Sequence, residues 1–208
     1  MLVAVDKFTK WIEYKPIVNI SSDRAVDFIS DIIHRFGFLH TIITDLGSNF
    51  TSQSFSDFCD SSCIEVKYDS VAHPRANGQV EHINGLVLDG LKKRLYDANS
   101  KKGGKWIQEL THVVWGLRTQ RSKAMGQSPF FLTYGSEAIL PADIMWKCPR
   151  VEAYQEEEVD EARQIELDSV EEVRINALTQ SARYLQRVRR YHDRYIQQRY
   201  FNIGDLVL

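Results

Sequence analysis

Cysteine is scarce in this sequence. Three occur in 208 residues, at Cys59, Cys63 and Cys148, an odd number without the dense spacing of a disulfide framework. They read as reduced thiols of an intracellular protein. Three residues separate Cys59 from Cys63, and no second Cys/His pair of zinc-like spacing follows, which argues against a zinc site. Long apolar runs are missing as well. No stretch reaches the roughly 18 residues that would cross a bilayer. The first residues lack the basic, apolar and small-residue order of a secretory signal. A nuclear or cytoplasmic location is expected, with no membrane partner and no secretion.

A net excess of either charge is also lacking. The chain holds 26 Lys and Arg against 28 Asp and Glu, with 43% hydrophobic residues, which is ordinary globular composition. The balance hides a polarity: residues 1–150 carry 18 cations against 16 anions, and residues 151–208 carry 8 against 12. Cations gather at Lys92, Lys93, Arg94, Lys101, Lys102 and Lys105, and again from Arg183 to Arg199. Clustered cations can track phosphates even on a nearly neutral protein. The plainer reading is two solvated helix faces.

What is present is regular. "LVAVDK" and "WIEYKPIV" read as two strands of a hairpin. "SSDRAVDFISDIIHRFG" reads as a helix capped by Ser21 or Ser22 and ended by Gly37, with an apolar stripe at Ala25, Val26, Ile29, Ile32, Ile33 and Phe36. "HTIIT" reads as a buried strand, "SQSFSDFCDSS" as a short helix and "CIEVKYDSV" as a further strand. The loop "AHPRANGQ" leads into the long helix "VEHINGLVLDGLKKRLYDA", and "KWIQELTHVVWGLRTQ" is another amphipathic helix. This order describes an α/β sandwich with a mixed sheet flanked by helices. Residues 151–200 read as a charged helical extension, acidic first and basic last, as a helix dipole favours. Residues 201–208, "FNIGDLVL", open a new β element.

Two carboxylates stand out. Asp45 follows the strand "HTIIT", and open α/β sheets collect ligands beyond strand carboxyl ends. A turn Asp bonding its own backbone is the commoner case. Glu81 lies near the start of the long helix, where a glutamate ordinarily serves the dipole. The pair is more telling than either member. Thirty-five residues separate Asp45 from Glu81, and the flanking phrases "TDLGSNF", "HPRANGQVEHIN" and "SPFFLTYG" follow in order. Together these resemble the integrase catalytic core of retroviruses and LTR retrotransposons, and the "NGQxExxN" and "PFxLxYG" patterns are most similar to plant gypsy-class elements. The resemblance runs from Leu2 to Leu208.

The resemblance implies an RNase H-like fold and metal-dependent phosphodiester transfer that joins element DNA to target DNA. It implies Asp45 and Glu81 as catalytic metal ligands for two Mg²⁺ (or Mn²⁺) ions, and Asn84 as a residue meeting DNA or the loop before the helix. Asn77 and Gly78 would keep that loop mobile. Asn77, Asn84 and the cations Lys92, Lys93, Arg94, Lys101, Lys102 and Lys105 form the expected DNA-binding set. DNA ends, target DNA and further copies of the chain are the expected partners. The chemistry suits these residue types: Mg²⁺ takes hard oxygen ligands, and a two-ion site activates the incoming hydroxyl and stabilises the departing one. Gly85 and Gly90 weaken the helix and suggest close approach of another backbone or of DNA.

Asp6 ends the first strand yet does not match the family's first metal-binding Asp. The resemblance places that residue on a strand upstream of Met1, in the middle of the sheet. It also implies a zinc-binding domain before the core and a small barrel after "FNIGDLVL". Residues 1–150 are therefore expected to be an integrase-like core lacking its first strand, inactive in this form. Two other functions compete: a non-catalytic DNA-binding or multimerising fragment, and an RNase H-like nuclease. The "PFFLTYG" segment and the long C-terminal helix speak against the last.

Overall fold

A computed structural model describes residues 1–68, 78–95, 106–148 and 159–194. The chain divides into two compact units, Met1–Thr119 and Gln120–Leu208.

In the first unit, β1 (Leu2–Val5) and β2 (Ile12–Lys15) pair antiparallel, with Leu2 opposite Lys15 and Val5 opposite Ile12. Strand alternation then sorts the side chains. Leu2 and Ala4 join Ala25, Phe28, Ile29 and Ile32 of α1 (Ser22–Phe36) and Phe55 and Cys59 of α2 (Gln53–Ser61) in one core. Val3, Ile12 and Tyr14 face the other way. They pack with Val87 of α3 (Gly78–Leu95) and with Leu110 and Val114 of α4 (Trp106–Thr119). The hairpin thus lies between two helical layers, as expected for an α/β sandwich.

Helix α1 starts where Ser21 accepts a hydrogen bond from the Arg24 amide and stops at Gly37. Gly37 takes φ +91°, a conformation that side chains disfavour. Its apolar stripe is shifted from the sequence reading. Phe28 is buried, while Phe36, the last residue of the helix, is 42% exposed and lies edge-on against Trp11.

β3 (Thr41–Thr44) and β4 (Glu65–Tyr68) pair in parallel, Thr41 with Glu65 and Thr44 with Tyr68. Among the described residues the strands form two separate two-stranded ladders, with no hydrogen-bonded link between β1 and β3. The two ladders share one helical layer, since Ile42 and Val66 border the same core as Leu2 and Ala4. β3 is half-buried, with only Thr44 buried, a difference from the buried strand expected of "HTIIT". Ile42 meets a core edge, and among the described residues β4 is the only strand paired with β3.

The two glycines of α3 behave differently. A Cβ at Gly90 would fall 2.7 Å from Cγ1 of Val113, so the neighbour there is a side chain of α4 and not the backbone or DNA expected. Among the described residues nothing lies within 4 Å of a Cβ built at Gly85. Gly85→Ala is expected to raise stability by about 1 kcal/mol through helix propensity. Gly90→Ala should lower it by about 1–3 kcal/mol through overpacking. Urea denaturation midpoints of the two variants test this, and shifts of the same sign would contradict it.

The second unit contains α5 (Pro129–Tyr134), α6 (Pro141–Met145) and α7 (Val159–Asp193). The "SPFFLTYG" phrase is a capped helix in full. Buried Ser128 accepts from the Phe131 amide and donates to Glu137, and Gly135 closes α5 in the left-handed conformation. Arg174 of α7 donates to the carbonyls of Leu132 and Thr133, which satisfies groups a helix end leaves unpaired. Val170 sits against Gly135. The charged segment is therefore helical over Val159–Asp193 and buries Val170 and Ala177. The "FNIGDLVL" element lies outside the described residues. No helix among the described residues is long and apolar enough to cross a membrane.

Candidate metal and nucleic-acid site

Asp45 directly follows β3 and is exposed. Its Oδ1 accepts the Gly47 amide at 3.1 Å, the self-bonding turn common for aspartate at strand ends. A Cβ at Gly47 would come within 2.9 Å of the same oxygen, so glycine there lets the turn close on the carboxylate. The Phe50 and Thr51 amides donate to the Gly47 carbonyl, and the Tyr68 hydroxyl donates to the Phe50 carbonyl. These bonds close the "DLGSNF" turn on itself and tie it to β4. One carboxylate oxygen of Asp45 is thus oriented, and Oδ2 accepts no hydrogen bond from the described residues.

Glu81 occupies the first turn of α3 and is exposed. It makes no hydrogen bond or ion pair with the described residues. Asn84 lies one turn along the same helix face. It is half-buried, and its Oδ1 is shielded from solvent with no hydrogen-bond donor among the described residues. An unsatisfied buried acceptor is costly, and this one sits beside Glu81, where a ligand's donor would relieve it.

Asp6 is engaged differently. Its Oδ1 accepts from the amides of Phe8 (3.1 Å) and Thr9 (2.6 Å) and from the Thr9 hydroxyl (2.7 Å). The carboxylate organises its own turn. Among the described residues, no three His, Cys, Asp or Glu side chains gather as a metal-binding group.

Of the six cations, Lys92, Lys93 and Arg94 fall in the last turn of α3, where they also complement the dipole. Lys92 borders an open apolar groove of about 380 Å³ with Leu88, Leu91, Leu95 and Trp106. Arg94 pairs with Glu109 of α4 at 3.1 Å, so part of its charge is already met. Asn77, Lys101, Lys102 and Lys105 lie outside the described residues.

One charged cluster was not marked by the sequence reading. Glu13, buried on β2, meets Arg35 of α1 at 2.8 Å, Arg118 of α4 at 3.2 Å and the Trp11 indole N–H at 2.7 Å. Arg118 also donates to the Ile12 carbonyl and stacks on the Trp11 ring at 4.1 Å. The only sequence signal was a charge in a strand at a core-facing position. The network holds the hairpin to both helical layers.

The architecture is matched by solved integrase cores. The HTLV-2 integrase catalytic core domain in complex with magnesium aligns with TM-score 0.53 and 23% identity, over 64% of this chain and 82% of that one. The bovine immunodeficiency virus integrase core gives 0.52 and 20%, over 63% and 82%. A chain of the simian T-cell lymphotropic virus intasome gives 0.57 and 23%, over 67% and 49%. The fold is that of the RNase H-like integrase catalytic core. Sequence relatives agree. An uncharacterized Caenorhabditis elegans protein is 30% identical over 164 residues, 75% of this chain. The Gag-Pol polyprotein of avian reticuloendotheliosis virus is 30% identical over 136 residues, 65% of this chain. The chain spans only 12% and 11% of those two proteins. No family model matches it. The chain is similar in sequence to retroviral Gag-Pol polyproteins and shares the fold of retroviral integrase cores.

Proposed function

We propose that the chain is a DNA-integration core that binds a divalent cation at Asp45 and Glu81 and positions DNA phosphates along α3. The observation that carries this reading is the pair itself. An oriented, exposed carboxylate follows a strand end, and a second, unengaged one lies on the first turn of a helix, in a fold shared with integrase cores. The donor set fits Mg²⁺, which is ordinarily held by one or two carboxylates with water and phosphate oxygens completing the shell. When bound, the ion would polarise a phosphodiester and lower the cost of the charge that develops on it. Asp45 would present Oδ2 while the Gly47 amide holds Oδ1. Asn84 would orient the substrate beside Glu81. Lys92 and Lys93 would neutralise the backbone as it leaves the site.

A second metal ion needs a further carboxylate, and the described residues gather no third ligand. Incubation with a labelled donor duplex, target DNA and Mg²⁺ separates the possibilities. Joined product supports the integrase reading, cleavage alone supports a nuclease, and retention without reaction supports a binder. Failure to retain DNA at low salt would refute all three.

The cations make a sharper expectation. Duplex binding should be sequence-independent and fall steeply with salt. Replacing Lys92 and Lys93 by Gln should flatten the log–log salt slope by about 2, at about 0.9 per lost phosphate contact. Arg94→Gln should change it less, because Glu109 already holds that guanidinium. An unchanged slope in a filter-binding titration would show a merely solvated face.

A further inference from the structure

The turn between β1 and β2 carries a lysine that the proposed chemistry does not use. Lys10 takes φ +61°, a backbone conformation that non-glycine residues hold only when their surroundings impose it. Two contacts impose it here. The Lys10 amide donates to the Asp6 carbonyl at 3.0 Å, closing the turn. The Lys10 ammonium donates to the Lys7 carbonyl at 2.5 Å and to Oε1 of Gln79 at 3.0 Å. The last bond spans 69 residues and is the feature that local turn geometry does not require. Burial holds the ammonium below the usual lysine range, with Asp6 opposing that effect and Lys7 adding to it. A flexible lysine would ordinarily keep its charge in water. This one gives up hydration to reach α3.

Its target is informative. Gln79 is the second residue of α3, and Glu81 follows in the same turn. The first amides of a helix lack intrahelical partners, so helix starts fray. Gly78 and Gly85 weaken this one further. A carboxylate on a fraying turn cannot hold a cation at fixed distance. The hairpin is comparatively rigid, clamped between both helical layers by Glu13.

We propose that Lys10 is a positioning residue, which through its hydrogen bond to Gln79 fixes the first turn of α3 and with it the Glu81 carboxylate. The proposal rests on the reading of Glu81 as a metal ligand. It names a contact between two separate motifs, "DKFTKW" and "NGQVE", as part of the site.

Glycine is the informative replacement. Lys10→Gly relieves the positive φ while removing the amine, so the turn is not harmed. Gln79→Leu breaks the same bond from the other side. In the full 208-residue chain, hydrogen exchange is followed at the His82 and Ile83 amides, and Mn²⁺ binding is followed by water-proton relaxation. Thermal unfolding controls for folding. Both variants should unfold no lower than the parent by more than a few degrees. Both should exchange those amides about five- to tenfold faster, as a local opening. Both should bind Mn²⁺ about tenfold more weakly, as for other partners that orient a ligand. The double variant should be no worse than either single one, because both remove one bond. Unchanged exchange in Lys10→Gly overturns the positioning role whatever the metal does. Unchanged Mn²⁺ affinity in Lys10→Gly, with weakened binding in Glu81→Gln, overturns it while sparing the metal site. Full Mn²⁺ affinity in Glu81→Gln refutes the metal reading itself, and the proposal falls with it.

Discussion

Asp45→Asn and Glu81→Gln are each expected to weaken Mn²⁺ binding by about tenfold or more, and to abolish metal-dependent strand joining under any condition that supports it. Asp6→Asn is expected to change neither. Each replacement keeps the shape of the side chain and removes one negative charge. A hard cation held by two carboxylates loses half of its charged protein ligands in either of the first two variants, and no neighbouring carboxylate can substitute. Among the described residues no three His, Cys, Asp or Glu side chains gather as a metal-binding group. Asp6 stands apart because its Oδ1 already accepts three hydrogen bonds from Phe8 and Thr9. Asn at that position keeps an acceptor for the same donors, so only a modest loss of stability should follow. Titration of the parent and three variants with Mn²⁺ gives the ranking. Loss of binding in Asp6→Asn with full binding in Asp45→Asn would assign the metal to the hairpin instead.

The sequence made α1 legible because its signals are local: Ser21 caps it by accepting the Arg24 amide and Gly37 ends it. Ser128 caps α5 in the same way and Gly135 ends it, but the Pro and Gly that punctuate this segment hid the helix. The 35-residue interval and its flanking phrases make Asp45 and Glu81 the candidate pair, and their proposed roles rest on that resemblance. What could not be read depends on distance in space. Lys10 is an unmarked residue in a turn, because a positive φ is legible only when Gly, Asn or Asp announces it. Its bond to Gln79 joins two motifs that sequence inspection treats separately. Gly85 and Gly90 carry the same letter five residues apart, yet only Gly90 faces α4, and the helix register that decides this is set by packing. The two separate strand ladders among the described residues are likewise a matter of pairing, which the alternation of apolar residues does not specify.

The largest stability effect is expected at Glu13. Its side chain is 8% exposed and Arg118 is 17% exposed, so the pair is largely withdrawn from water. Removing one partner of such a pair leaves the other charge buried and unbalanced, typically at 3–5 kcal/mol. Arg118 keeps its bond to the Ile12 carbonyl and its place over Trp11, so the lower end, about 3 kcal/mol, is expected for Glu13→Ala. For a chain of this size that corresponds to a fall in Tm of roughly 6–12 °C. Arg35→Gln is the contrast, because Arg35 is 49% exposed. Water screens its contact with the same carboxylate, and its loss should stay within about 1 kcal/mol. The consequence reaches the site. Glu13 and its partners hold β2 to α1 and α4, the hairpin presents Lys10, and Lys10 reaches the turn that bears Glu81. Glu13→Ala should therefore weaken Mn²⁺ binding even at temperatures where the chain stays folded, and Arg35→Gln should not. Thermal unfolding and Mn²⁺ titration of the two variants decide the matter. Equal and small effects from both would show that the buried network is a local feature of β2 with no hold over the hairpin or the metal site.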